Sequence, residues 1–400
     1  MLAMSRATQF LVSALFCVLP WWLPGSSGLW LPLTKVKDSI VESTGARCLD
    51  GSNPAYYLSM PSDPKAVSNW RIHFRGGGWC FTAEECHGRS KTSMGSSLLL
   101  PQTIEDAHDG FMTTNTTVNP KFGNWGVVYI EYCDGSSYLS DVEQPMKLFG
   151  DTIYFRGRRI LAAVFQDLEE RVKLLSLGKK VVLSGTSAGG LATYLHCNTV
   201  QKMLNADCDF RCLPDAGLFL DHADMHGQAT YETEVKAGLD LWNGTHNLDK
   251  TCMDAFKSAG TPWKCAFSQY IIPFITPPLF ILNSMYDKAS MGLVLHLNCN
   301  PSHAGSCSTE QLKAFQAYHL AMASALQPAL TAGNSTGVFA TACYQHEESC
   351  QNPDWLGITI KSVSMRRAVE QWYDGGNVKL VDTTWPNDHS CVLNITHGPC

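Results

Sequence analysis

One segment restricts the fold more than any other. From Lys179 to Leu204 the chain reads KKVVLSGTSAGGLATYLHCNTVQKML. A short apolar β-like run passes straight into glycine and serine, and a helix-like stretch follows. That order predicts a βα unit with a tight turn at residues 185–190. Similar β-like runs stand at NWRIHF (Asn69 to Phe74), GVVYIEY (Gly126 to Tyr132) and PPLFILNS (Pro277 to Ser284). Between them, RILAAVFQDLEERVKLLSL (Arg159 to Leu177) has helical apolar spacing, with Gly178 as a stop. Strands separated by helices predict an α/β protein with a mostly parallel central sheet flanked by helices. Ligands then bind beyond the C-terminal ends of the strands.

Composition supports a packed core: 45% of the 400 residues are hydrophobic and 16% charged. The absence of internal repeats or low-complexity linkers predicts a single domain over 29–400. The net charge of -6, with no basic run, gives no electrostatic case for nucleic acid. Arg6 precedes the apolar FLVSALFCVLPWWLP, and GSSG follows, so residues 1–28 read as a secretory signal peptide cleaved near Gly28. Pro20 and Pro24 interrupt that apolar run, and no other stretch approaches the roughly 20 apolar residues of a membrane helix.

The cysteines agree with export. Of 16, only Cys17 lies in the leader, and fifteen in an oxidising compartment read as disulfides. A zinc site would want Cys-x-x-Cys, which is missing, so the cysteines read as disulfides rather than zinc ligands, and no cofactor is expected. Cys80/Cys86, Cys208/Cys212, Cys252/Cys265 and Cys299/Cys307 read as local staples, and Cys197 as the free thiol. Sequons at Asn115, Asn243, Asn334 and Asn394 predict glycosylated surface positions.

Within the central segment, Gly185-Thr186-Ser187-Ala188-Gly189 matches Gly-x-Ser-x-Gly. Flanking glycines let a strand turn sharply into a helix and leave the serine exposed above the sheet. A phosphate-binding Walker loop would need Gly-Lys-Ser/Thr, which is missing. A serine hydroxyl needs a histidine to take its proton and a carboxylate to orient that histidine, in the chain order Ser, acid, His. The acid candidates are Asp287, just past a strong strand, with Asp215 and Asp221 as rivals. The base candidates are His346 and His389, both near cysteines that can pin a loop. HFRGGGWC (His73 to Cys80) places three glycines after an early strand, where backbone N–H groups can meet an oxyanion, as can the N–H after the serine.

Taken together, RGGGWC, NWGVVYIEYCDGSSY, LSGTSAGGLATYLHC, LPDAGLFLD, PPLFILNSMYD and ACYQHE resemble the pectin acetylesterase family, which includes the Notum-type carboxylesterases. The resemblance runs from Arg75 to His346. It implies an α/β-hydrolase-like fold with disulfide-stapled loops and no metal. It also implies Ser187 as nucleophile, Asp287 as acid and His346 as base. Gly77, Gly78 and Ala188 become the implied oxyanion donors. Two positions depart from the plant pattern. Arg75 stands where the family commonly has an acidic residue, and Glu347 follows the histidine, as in the Notum branch. The implied activity is that of a secreted serine esterase removing acetyl groups from a cell-wall polysaccharide such as pectin. The alternatives are a Notum-like deacylase acting on a fatty-acylated secreted protein, and an inactive glycan-binding protein whose 11 Trp and 13 Tyr supply stacking surfaces.

Overall fold

The computed structural model describes residues 30–105, 110–303, 305–382 and 391. The expected leader, His389 and the Asn394 sequon therefore lie outside the described residues. Ten strands form one sheet: β1 (Trp30–Lys35), β2 (Ala55–Ser59), β3 (Asn69–Phe74), β4 (Thr103–Glu105), β5 (Gly126–Ile130), β6 (Lys180–Thr186), β7 (Asp209–Asp215), β8 (Leu279–Ser284), β9 (Thr336–Thr341) and β10 (Lys379–Val381). Their spatial order is β10-β9-β8-β7-β6-β3-β5-β2-β1-β4. From β10 to β5 every neighbour is parallel, while β5–β2, β2–β1 and β1–β4 are antiparallel. The expected mostly parallel sheet is present, extended on one side by an antiparallel edge that the apolar runs did not announce.

The parallel part is buried on both faces. Val181 and Leu183 belong to one apolar layer and Val182 to the other. That alternation is the two-residue period of a strand, and burial on both sides explains why these strands read as continuous apolar runs. The longer helices are α1 (Gly157–Val172), α2 (Ala188–Met203), α3 (Thr230–Leu241), α4 (Thr309–Ala325) and α5 (Met365–Tyr373). The predicted helix to Leu177 is broken: Lys173 adopts φ 57, and a separate turn, Leu174–Leu177, ends at Gly178.

Six disulfides join described residues: Cys48–Cys133, Cys80–Cys86, Cys197–Cys212, Cys252–Cys265, Cys299–Cys307 and Cys343–Cys391. Cys350 is also disulfide-bonded. Three of the four expected local staples form. The fourth does not: Cys212 pairs with Cys197, and among the described residues Cys208 is the free thiol. The reason is topological. Cys197 lies on α2 and Cys212 on the adjacent β7, so the bond fastens the helix to its neighbouring strand. Replacing Cys197 and Cys212 together by serine should lower unfolding free energy by about 2–5 kcal/mol. Cys208→Ser should change it by no more than about 0.5 kcal/mol. Denaturant titration of the three proteins checks both values.

Candidate active site

The turn between β6 and α2 is crowded on every side. A Cβ on Gly185 would fall 2.3 Å from the carbonyl oxygen of Gly189, and one on Gly189 would fall 2.0 Å from that of Phe74. Only glycine lets the helix start this close to β3. Ser187 itself has φ 56 and ψ -122. Such a conformation costs a non-glycine residue about 1–3 kcal/mol and persists only where its surroundings hold it. The Ser187 N–H donates to the carbonyl of Asp215 at 3.0 Å, and its own carbonyl accepts the Leu191 N–H at 2.9 Å.

Past β8, Asp287 is 1% exposed. One carboxylate oxygen accepts the Ser290 N–H at 2.7 Å and so caps the short helix Lys288–Leu293. The other lies 2.5 Å from Nδ1 of His346, on the loop after β9. In the neutral ring this contact places the one proton on Nδ1 and leaves Nε2 as the acceptor. Burial pushes the His346 imidazole down, but the charge and hydrogen bond of Asp287, with Glu347 and Asp215 behind it, outweigh that and raise its pKa to about 9. Phe219 packs against the ring at 6.2 Å between centroids.

The two rival acids hold other positions. Asp221 accepts the Tyr270 hydroxyl at 2.8 Å. Asp215, at the end of β7, accepts the Ser349 N–H at 2.7 Å and so ties the His346 loop to the strand beside the serine. Its second oxygen is buried without a hydrogen-bond partner, and burial pushes its pKa up to about 6. Asp215 thus has a structural role, as the anchor of the histidine loop.

The glycine run follows β3. A Cβ on Gly76 would fall 3.0 Å from Ser187 Cβ and 2.8 Å from Glu347 Oε1. Gly76 is thus the point where the serine turn and the histidine loop converge. Glu347 Oε1 lies 4.0 Å from His346 Nε2. The Gly77 carbonyl accepts Nη1 of Arg89 at 2.8 Å. Because the peptide is planar and trans, the Gly78 N–H points the opposite way. Among the described residues, the N–H groups of Gly77, Gly78 and Ala188 donate no hydrogen bond. The unexpected charge of Arg75 is met by Glu131, 2.5 Å away.

An apolar cavity of about 20 Å³ lies behind Leu191 and Phe219, with Trp79, Tyr231, Trp242 and Phe267 also in its wall. Leu191 lies one turn into α2, and Phe219 is the residue packed on His346. No group of three or more His, Cys, Asp or Glu among the described residues could hold a metal.

Residues 26–392 match the pectinacetylesterase family. The chain belongs to the pectinacetylesterase family. Pectin acetylesterase 5 of Arabidopsis thaliana is 32% identical over 383 residues, covering 91% of this chain and 86% of that protein. The human palmitoleoyl-protein carboxylesterase NOTUM is 26% identical, over 82% of this chain and 64% of that protein. The solved structure of the Wnt deacylase Notum from Drosophila superposes with a TM-score of 0.76 at 25% identity, covering 90% of this chain and 99% of that one. Members of this pectinacetylesterase family hydrolyse esters, and this chain is an ester-hydrolysing enzyme with the Notum-like α/β fold.

Negative charge around His346 holds its proton, so NMR titration should find its pKa above the ordinary value of about 6.5. Asp287→Asn removes the nearest charge and should lower that pKa. Asp215→Asn should lower it by less.

Proposed function

We propose that the chain is a secreted serine carboxylesterase that removes acetyl groups from pectin. Ser187 Oγ attacks the ester carbonyl while His346 Nε2 takes its proton, and Asp287 steadies the imidazolium through Nδ1. The N–H groups of Gly77, Gly78 and Ala188 receive the oxyanion. His346 returns the proton to the departing sugar oxygen, leaving an acetyl-serine. It then takes a proton from water, whose oxygen attacks the acetyl carbonyl, and passes that proton to Ser187 Oγ as acetate leaves.

The observation that carries the acetyl reading is the small cavity bounded by Leu191 of α2 and by Phe219, which packs on His346. Its volume is about 20 Å³. By the same measure a single water needs roughly 10–15 Å³, so the space suits a methyl group. A long acyl chain would need the aromatic wall to open. The relatives named pectin acetylesterases supply the polysaccharide part of the reading. The runner-up, a fatty-acyl deacylase, draws on the Notum relatives and on Glu347 after the histidine. Export is supported by the leader-like N-terminus and the disulfides. Asn115, Asn243 and Asn334 are exposed, as glycosylation requires.

The test is hydrolysis of p-nitrophenyl esters from acetate to octanoate. Wild type should prefer acetate, and Ser187→Ala and His346→Ala should each lower kcat by roughly 10³-fold or more. Preference for octanoate would favour the lipid deacylase. Binding of pectin without turnover, unchanged in Ser187→Ala, would favour the glycan-binding alternative. With acetylated pectin as substrate, wild type should release acetate and Ser187→Ala should not.

A further inference from the structure

The motif CDGSSY, Cys133 to Tyr138, has no part in the steps above, yet it is held with unusual strictness. Ser137 has φ 50 and Tyr138 φ 61, two consecutive non-glycine residues in the left-handed region. Each costs about 1–3 kcal/mol unless its surroundings enforce it. One oxygen of the buried Asp134 enforces the turn by accepting the N–H groups of Ser136 and Tyr138, both at 3.0 Å. The result is that every polar group of Ser137 is engaged by a different part of the chain. Its N–H donates to the Tyr132 hydroxyl at 2.9 Å. Its carbonyl accepts Nε2 of His196 at 2.7 Å. Its hydroxyl donates to the Ala188 carbonyl at 2.8 Å and accepts the indole N–H of Trp79 at 2.8 Å. An indole nitrogen can only donate, so the single Ser137 hydroxyl proton belongs to the Ala188 bond.

Trp79 follows the glycine run and forms a wall of the cavity. Its ring stands edge-on to Phe219 at 4.9 Å, and Phe219 packs on His346. Trp79 is half-buried, and its ring also packs against Phe81 and Tyr231. Of these contacts, the hydrogen bond to Ser137 is the directional one, and it fixes the indole nitrogen on the CDGSSY turn.

We propose that Ser137 limits the acyl length of the site by pinning the Trp79 indole across the cavity. The proposal rests on the reading that the cavity receives the acyl group. Ser137→Ala releases the indole nitrogen, and Trp79→Leu takes the indole out of the wall while leaving the other bonds of Ser137 in place.

The experiment measures kcat/KM for p-nitrophenyl acetate, butyrate, hexanoate and octanoate with the full chain, together with thermal unfolding midpoints. In Ser137→Ala the octanoate-to-acetate ratio should rise by about 5-fold or more, the equivalent of one hydrogen bond. Trp79→Leu should raise it at least as far, and the double variant should not exceed Trp79→Leu alone. A purely structural role for Ser137 would lower all esters in proportion, and that result would overturn the proposal. If Ser137→Ala does not fold, an unchanged ratio in Trp79→Leu overturns it and a raised ratio supports it. A wild type that already prefers octanoate would overturn the short-acyl reading and this proposal together. A wild type that prefers acetate, with both variants unchanged in ratio, would overturn this proposal alone.

Discussion

The site depends on how closely α2 can start against the strands on either side of β6. A Cβ on Gly190 would lie 2.2 Å from the Asp215 carbonyl oxygen, and one on Gly189 just 2.0 Å from that of Phe74. The missing side chains let the turn sit between β3 and β7. The hydrogen bond from the Ser187 N–H to the Asp215 carbonyl then holds the serine in a conformation it would otherwise avoid. Everything that faces Ser187 is placed by this packing: the glycine run continues β3, and the His346 loop hangs from Asp215.

That arrangement concentrates buried acids around one histidine. Asp287 bonds the ring directly, Glu347 lies beside it, and Asp215 anchors its loop. Glu348, on the same loop, accepts the Thr341 hydroxyl at 2.5 Å, and burial pushes its pKa well up. Burial likewise pushes Asp354 up to about 7. Burying a carboxylate in its charged form is costly, so the less solvated members of such a cluster keep their protons more readily. Asp287 itself accepts the Ser290 N–H with one oxygen and faces the histidine with the other. The disulfide Cys343–Cys391 and the bonded Cys350 bracket the loop that carries the histidine, limiting how far it can drift from the acid.

The features legible in the sequence were those with local causes. The β6–turn–α2 unit follows from sterics among neighbouring residues, and the glycine run after β3 marks itself in the same way. Apolar runs located the central parallel strands because both their faces are buried. The antiparallel edge was missed because it lacks long buried apolar runs: β1 is mostly unburied and contains Pro32, and β4 has only three residues. Asp287 carried two readings, a helix cap and an acid facing the site, and its two oxygens serve both positions. The cysteine pairing was only partly legible, because nearness in sequence favours Cys208 for Cys212 while the helix-on-strand geometry brings Cys197 instead.

By itself the sequence determined an α/β chain with a serine elbow and a short menu of acids and bases. Tertiary structure decided which of them meet. Asp287 and His346 are 59 positions apart, and Asp215 and Ser349 are 134 apart, and no local pattern encodes such distances. It also decided the size of the aromatic cavity and the Ser137 bond that orients its wall. The physical reason is range. Backbone sterics and strand periodicity act within a few residues, whereas cavities, ion pairs and cross-links exist only after distant segments have packed.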